Sequence, residues 1–166
     1  MEIFEFEIPS HTTRREWAVY VIKAINRNNG NNILYVGKVG DNRDGCNPII
    51  SRIGNHFSHN RIHSQMRNKI SKMENSQTID YDYKIFYATF GEYVIENQLT
   101  DKDRVNELER QLNRYIQQNV ESRQDFNFIN PFKVVGISKN KQVERSKLLT
   151  DYERQVLKAL ADRVTN

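Results

Sequence analysis

Three groups of side chains in this 166-residue chain have the types and spacing to do chemistry. The first is a pair of tyrosines, Tyr20 within Ala18-Val19-Tyr20 and Tyr35 at the head of Tyr35-Val36-Gly37-Lys38. A tyrosine hydroxyl can move a proton, but its ordinary pKa of about 10 calls for nearby positive charge if it is to serve near neutral pH. Strand tyrosines ordinarily only pack. Gly37 is harder to set aside, because a glycine inside a strand weakens it and marks a bulge or a close approach. The second group is Arg52 with His56, one helical turn apart, extended at spacings of three and four by His59 and His63. A histidine-only zinc site there lacks a supporting carboxylate or cysteine. The third is Glu109, with Val105 four residues before it, Leu112 three after and Ile116 seven after. That spacing puts a carboxylate on an apolar helix face, where it is costly unless paired. It is either matched with an arginine or lysine, or held for a cation or a reacting group. Glu107 shares its side with Asp103, Arg104, Arg110 and Arg114 and reads as a solvated helix charge.

The elements that must position these groups follow from hydrophobic period and turn residues. Residues 2–8 alternate in part (Ile3, Phe4, Phe6, Ile8) and read as a short edge strand ended by Pro9 and Ser10. Residues 17–25 form an apolar run of β-branched and aromatic type, a central strand. Residues 26–32 (NRNNGNN) are turn-like, and 33–39 form the second arm of a hairpin. After a loop at 41–48 the period becomes helical: Ile49, Ile53 and Phe57, then Ile62, Met66, Ile70 and Met73, with a break near 58–60. In that helix Ile49, Ile53 and Phe57 take the core side, so the face with Arg52 and His56 is expected to look outward. Residues 83–90 read as a third strand and 101–120 as the strongest helix, with Val105, Leu108, Leu112, Tyr115 and Ile116 on one side. Asn130-Pro131 breaks the chain. A short strand at 132–137 and a helix over 150–164, capped by Thr150 with Glu153 three residues on, complete the reading. The fold class expected is α+β: a small, mainly antiparallel three-stranded central sheet flanked by helices, with an extra C-terminal helix. Residues 1–136 form the main domain with a short N-terminal extension, and 137–166 a basic segment and helix.

Composition sets the limits. Charged residues are 28% and the hydrophobic set 37%, polar for a globular chain, yet 8 Tyr, 8 Phe and 1 Trp argue against disorder. No apolar run has the length of a membrane helix. Glu2, Glu5 and Glu7 carry the wrong charge for a secretory leader, and Cys46 stands alone, without a disulfide partner or a cysteine cluster. A soluble, cytoplasmic protein is the expectation. The net charge of +4 is modest but unevenly placed. Residues 45–73 contain no acid, and hold Arg52, Arg61, Arg67, Lys69 and Lys72 with His56, His59 and His63. Residues 133–147 carry Lys133, Lys139, Lys141, Arg145 and Lys147 against Glu144 alone. Such runs are often solvated faces. Two of them in one chain raise the case for an anionic partner, of which a phosphate backbone is the commonest.

In order along the chain, these pieces resemble the GIY-YIG nucleases. That family has a strand ending in a GIY-like tripeptide, a strand with YIG, an Arg-x-x-x-His-like element on the first helix, and a glutamate on a later helix. Here the counterparts are Ala18-Val19-Tyr20, Tyr35-Val36-Gly37-Lys38, Arg52-Ile53-Gly54-Asn55-His56 and Glu109-Arg110-Gln111-Leu112, with Asn130 where the family often has a closing asparagine. The resemblance spans residues 17 to about 131. It departs at Ala18, where the family has glycine, and in the longer loops at 26–32 and 41–48.

The resemblance implies a metal-dependent endonuclease acting on double-stranded DNA, similar to small restriction-type, phage or mobile-element nucleases. Glu109 would hold one divalent cation, Mg²⁺ with Mn²⁺ as a substitute. Arg52 would place its fork of donors on the phosphate oxygens. Tyr20 or Tyr35 would take the proton from water, with Lys38, Arg52 and the metal lowering its pKa, and His56 would relay that proton or contact the phosphate. Gly37 and Asn130 would be structural. Arg61, His63, Arg67, Lys69, Lys72, Lys139 and Lys141 would grip the DNA backbone. A homodimer is left open. The rival readings are an inactive relative and an unrelated basic α+β nucleic-acid-binding module, which predicts that Glu109 pairs with a buried base and that Tyr20 and Arg52 lie far apart. For the two tyrosines to share a sheet face, opposed residue numbers in the hairpin must sum to an odd value.

Overall fold

The apolar run after Glu16 forms the centre of the sheet, as its unbroken hydrophobicity requires. Trp17, Val19 and Val21 are buried on one side and Ala18, Tyr20, Ile22 and Ala24 on the other, so both faces of this strand are covered. The computed structural model describes residues 2–40, 46–60, 62–73, 76–132 and 139–166. Along these lie β1 (Glu16–Asn26), β2 (Asn32–Val39), α1 (Ile49–Phe57), α2 (Gln65–Ile70), β3 (Tyr81–Glu92), α3 (Gln98–Val120), β4 (Phe126–Phe128), α4 (Lys139–Ser146) and α5 (Asp151–Thr165), with single 3₁₀ turns at Ser10–Thr13, Thr78–Asp80 and Ile95–Asn97.

The α+β class holds, but the sheet differs from the expected three antiparallel strands. Among the described residues it has four, in the order β3-β1-β2-β4. β1 pairs antiparallel with β2 and β3, while β4 adds to β2 in parallel, Asn32 opposite Phe126 through Leu34 opposite Phe128. Three residues are too few for a period to reveal β4, and its strand is made by pairing with β2 rather than by a local pattern. Residues 2–8 are not a strand; Ile3, Phe4 and Phe6 are exposed, and no strand among the described residues pairs with them. The expected strand at 132–137 lies, from residue 133 on, outside the described residues, as do 41–45 of the loop before α1.

The β1–β2 turn closes on Asn26, whose Oδ1 accepts from the Asn28 and Asn29 amides, and on Gly30 at φ +72°. Its register puts Tyr20 opposite Gly37 and Ile22 opposite Tyr35. Opposed numbers therefore sum to an odd value, and the two tyrosines share a face.

Two apolar layers sandwich the sheet. On one side Val19, Val21, Leu34 and Val36 meet Leu108, Leu112 and Ile116 of α3 and Leu157, Leu160 and Val164 of α5. Each such side chain contributes on the order of 1.5–3 kcal/mol when fully buried. On the other side Tyr20, Ile22, Ile33 and Tyr35 meet Ile49 of α1 and Met66 and Ile70 of α2. α5 begins as its sequence indicates: Thr150 Oγ1 accepts from the Glu153 amide at 3.2 Å, and Glu153 Oε2 accepts from the Thr150 amide at 2.7 Å. Arg104 of α3 donates to Glu153 at 2.8 Å and ties the two helices. Among the described residues no helix is long and apolar enough to cross a membrane.

Candidate active site

Gly37 decides how the site is built. A Cβ added there would lie 2.4 Å from both Cζ and Oη of Tyr20, so the Tyr20 ring crosses β2 in the space a side chain would fill. That ring is fully buried, and its hydroxyl lies 2.6 Å from Nε2 of His56. Either partner can donate, according to the imidazole tautomer. The ring of Tyr35 meets the same imidazole edge-on, with centroids 4.8 Å apart.

His56 does not follow the outward course expected of it. It is 1% exposed and faces the sheet, although Ile53 and Phe57 also pack on that side of α1. The Tyr20 hydroxyl supplies the partner that lets an imidazole be buried. Burial, helped by the Arg52 charge, pushes the His56 pKa down to about 4, so the ring is neutral at ordinary pH. Nδ1 has no hydrogen-bond partner among the described residues. Arg52 is half-buried and reaches the Tyr20 hydroxyl from α1, acting through both its charge and a hydrogen bond. Burial nevertheless dominates and raises the Tyr20 pKa far above the ordinary tyrosine range; Tyr35 and Glu109 raise it further.

Lys38 and Glu109 belong to the opposite layer, with Lys38 following Val36 on the α3 side of β2. Lys38 Nζ donates to Glu109 Oε2 at 2.6 Å, with side chains 14% and 28% exposed. The apolar-face position of Glu109 is thus matched by a base, though a partly exposed one and not the buried base expected of the unrelated module. The companion expectation, a distant Tyr20 and Arg52, is not met.

Asn130 holds the end of β2. Its Oδ1 accepts from the Val36 amide at 3.0 Å and its Nδ2 donates to the Val36 carbonyl at 2.7 Å, a side chain standing in for a neighbouring strand between Tyr35 and Gly37. Asn113, buried on α3, is a site residue absent from the motifs of the sequence. It donates to the Asn130 carbonyl at 2.9 Å and accepts from the Phe132 amide at 2.7 Å. Its signal was present: a polar residue one turn beyond Glu109, beside the apolar stripe.

The basic residues do not act as one set. α1 ends at Phe57, so His59 and His63 do not continue its face; both are exposed, and His59 Nε2 lies 3.0 Å from Arg67 Nη1. Lys69 donates to the Ile129 carbonyl at 3.0 Å and so helps to seat the chain before Asn130. Lys72 and Lys141 are exposed, and Lys139 opens α4. Arg61 and Lys133 lie outside the described residues. Among the described residues no three His, Cys, Asp or Glu side chains gather as a metal cluster. Compared with protein-family models, with curated proteins and with solved structures, the chain matches none.

Proposed function

We propose that this protein is a divalent-metal-dependent endonuclease that hydrolyses phosphodiester bonds in double-stranded DNA. One observation carries the reading: His56 and Arg52 of α1 converge on the Tyr20 hydroxyl of β1, and the Tyr35 ring of β2 meets the same imidazole. Hydrolysis adds water oxygen to phosphorus, breaks the bond to the leaving sugar oxygen, and must place one proton and stabilise one extra negative charge. The Arg52 guanidinium suits that charge, because its donors are fixed in a plane that matches phosphate oxygens. The Tyr20 hydroxyl has no exposed surface and a raised pKa, so it is the support for His56 rather than the group that meets water. Tyr35 retains 9% exposure and takes the water proton in this proposal.

Glu109 is the residue that would hold the cation. Its carboxylate is partly exposed, and Oε2 is the oxygen that meets Lys38. A single protein carboxylate, once released by Lys38, suits Mg²⁺, which keeps several waters and shares its shell with substrate phosphate. When bound, such a cation polarises the phosphoryl oxygen and steadies the leaving oxygen.

The Lys38–Glu109 ion pair is the observation that favours a second reading, a nucleic-acid-binding module without catalysis. Plasmid DNA incubated with Mg²⁺ separates the two. Nicking by the parent should fall by about 10²–10³-fold in Arg52→Ala, the range for losing one transition-state donor. Glu109→Gln should abolish it. Absence of Mg²⁺-dependent nicking across several DNAs, or equal nicking by both variants, counts against the nuclease.

A further inference from the structure

We propose that the Lys38–Glu109 ion pair makes cation binding at Glu109 depend on the arrival of a nucleic-acid phosphate. The inference rests on the nuclease reading for the identity of the cation and the anion; the latch itself rests on geometry. Two rungs join β2 to α3. Val36 is bound through Asn130 to Asn113, and Lys38 meets Glu109 at 2.6 Å. Val36 and Lys38 are two residues apart on one face of a strand, and Glu109 and Asn113 are one helical turn apart. The polar rung therefore sets the spacing of the ionic one. Lys38 is placed against Glu109 by the fold, and the pair is more than two-thirds shielded from solvent at both ends.

A carboxylate that already carries an ammonium is a poor ligand for a second cation. A divalent ion at Glu109 would add two positive charges beside Lys38, in a partly shielded setting where charges interact more strongly than in water. A phosphate changes that balance. It offers Lys38 another anion, so that the ammonium can leave Oε2 and the incoming cation meets the negative charge of Glu109 together with that of the phosphate. Cation and nucleic acid then bind with positive coupling, and by linkage each strengthens the other by the same factor. The free protein would hold the cation weakly and avoid a loaded site without substrate.

The test is binding of Mn²⁺, followed by loss of the free-ion signal in electron paramagnetic resonance, to the full chain with and without a short DNA duplex. The variants are Lys38→Met, Lys38→Gln and Glu109→Gln, each checked by its melting curve. Two lysine variants are used because Met leaves Glu109 unpaired, whereas Gln can still donate to it if Met fails to fold. The expected pattern is a gain of about ten-fold or more on adding DNA to the parent, the coupling of a factor of ten or so being typical between linked sites. The lysine variants should bind Mn²⁺ more tightly than the parent without DNA and gain less from DNA. Glu109→Gln should show no gain above DNA alone. Equal Mn²⁺ affinity of the parent with and without DNA, while Glu109→Gln loses it, overturns the coupling and leaves the nuclease reading standing. Unchanged affinity in the lysine variants overturns it too. If the parent binds no DNA and Glu109→Gln behaves like the parent, both readings fall together.

Discussion

Replacing Gly37 with alanine tests the contact on which the candidate site is built. The added Cβ would meet Tyr20 Cζ and Oη at 2.4 Å and Cε2 at 2.8 Å. Carbon atoms in contact normally sit about 3.5–4.0 Å apart, so the ring must retreat by about 1 Å or the strands must part. Neither movement is easy. Tyr20 has no exposed surface, its hydroxyl is fixed at 2.6 Å from His56, and Gly37 is the residue paired directly opposite it on β2. Overpacking of this kind costs about 1–3 kcal/mol. Breaking the Tyr20–His56 hydrogen bond in a buried place adds about 1–3 kcal/mol. Against this, alanine limits the unfolded chain and returns only about 0.4–1 kcal/mol. The net loss should be about 1–5.5 kcal/mol, a sizeable part of the stability of about 5–15 kcal/mol usual for a domain. Urea unfolding followed by circular dichroism measures it. The cause is isolated by a double-mutant cycle with Tyr20→Leu, whose side chain lacks the atoms in the clash. In that background Gly37→Ala should cost little. A Gly37→Ala protein within about 0.5 kcal/mol of the parent, which is the usual range for innocuous surface changes, would refute the reasoning. So would an equal cost in both backgrounds, since the loss would then come from the strand and not from the ring.

Three further outcomes follow from the same geometry. His56 titrates near 4 in the folded protein against 6.5 unfolded, so between those pH values the unfolded chain binds a proton that the fold refuses. Stability should fall as pH drops through that window, by up to about 3 kcal/mol, and the slope should flatten in His56→Gln; an unaltered slope in the variant would assign the effect elsewhere. Asn130→Ala removes both hydrogen bonds to Val36 and should cost about 2–4 kcal/mol, with the backbone amide of Val36 left without its partner; amide exchange at Val36 that is no faster than in the parent would contradict the assigned role. Thr150→Ala removes the cap of α5 and should cost about 1 kcal/mol in chemical denaturation, and a change near zero would mean that Glu153 and Arg104 hold the helix start without it.

Which parts of this molecule could be read from its residues depends on how far the cause lies from the effect. β1, β2 and β3 announce themselves by apolar runs, α3 by a stripe at helical period, and α5 by Thr150 and Glu153 three residues apart; each cause lies within one element. β4 and the buried course of His56 do not, because a three-residue strand exists only through Asn32–Leu34, and an imidazole turns inward only where a hydroxyl awaits it. The Lys38–Glu109 pair falls between these cases. The apolar-face position of Glu109 signalled a basic partner, a cation or a reacting group, but choosing Lys38 required the facing of β2 and the rotation of α3. Those two quantities are set by buried contacts far from either charge, Val36 against the α3 stripe and Asn113 against Asn130. Gly37 is the exception that joins the two levels. An isolated glycine in a strand is visible in the sequence, and the hairpin register alone turns it into a place for the Tyr20 ring. With Tyr20 seated there, His56 and Arg52 can reach its hydroxyl from α1 while Tyr35 stays on the same face. The cluster of Tyr20, Tyr35, Arg52 and His56, drawn from three elements, therefore hangs on one register, and a slip of one residue in β2 would turn Tyr35 toward α3 and disperse it.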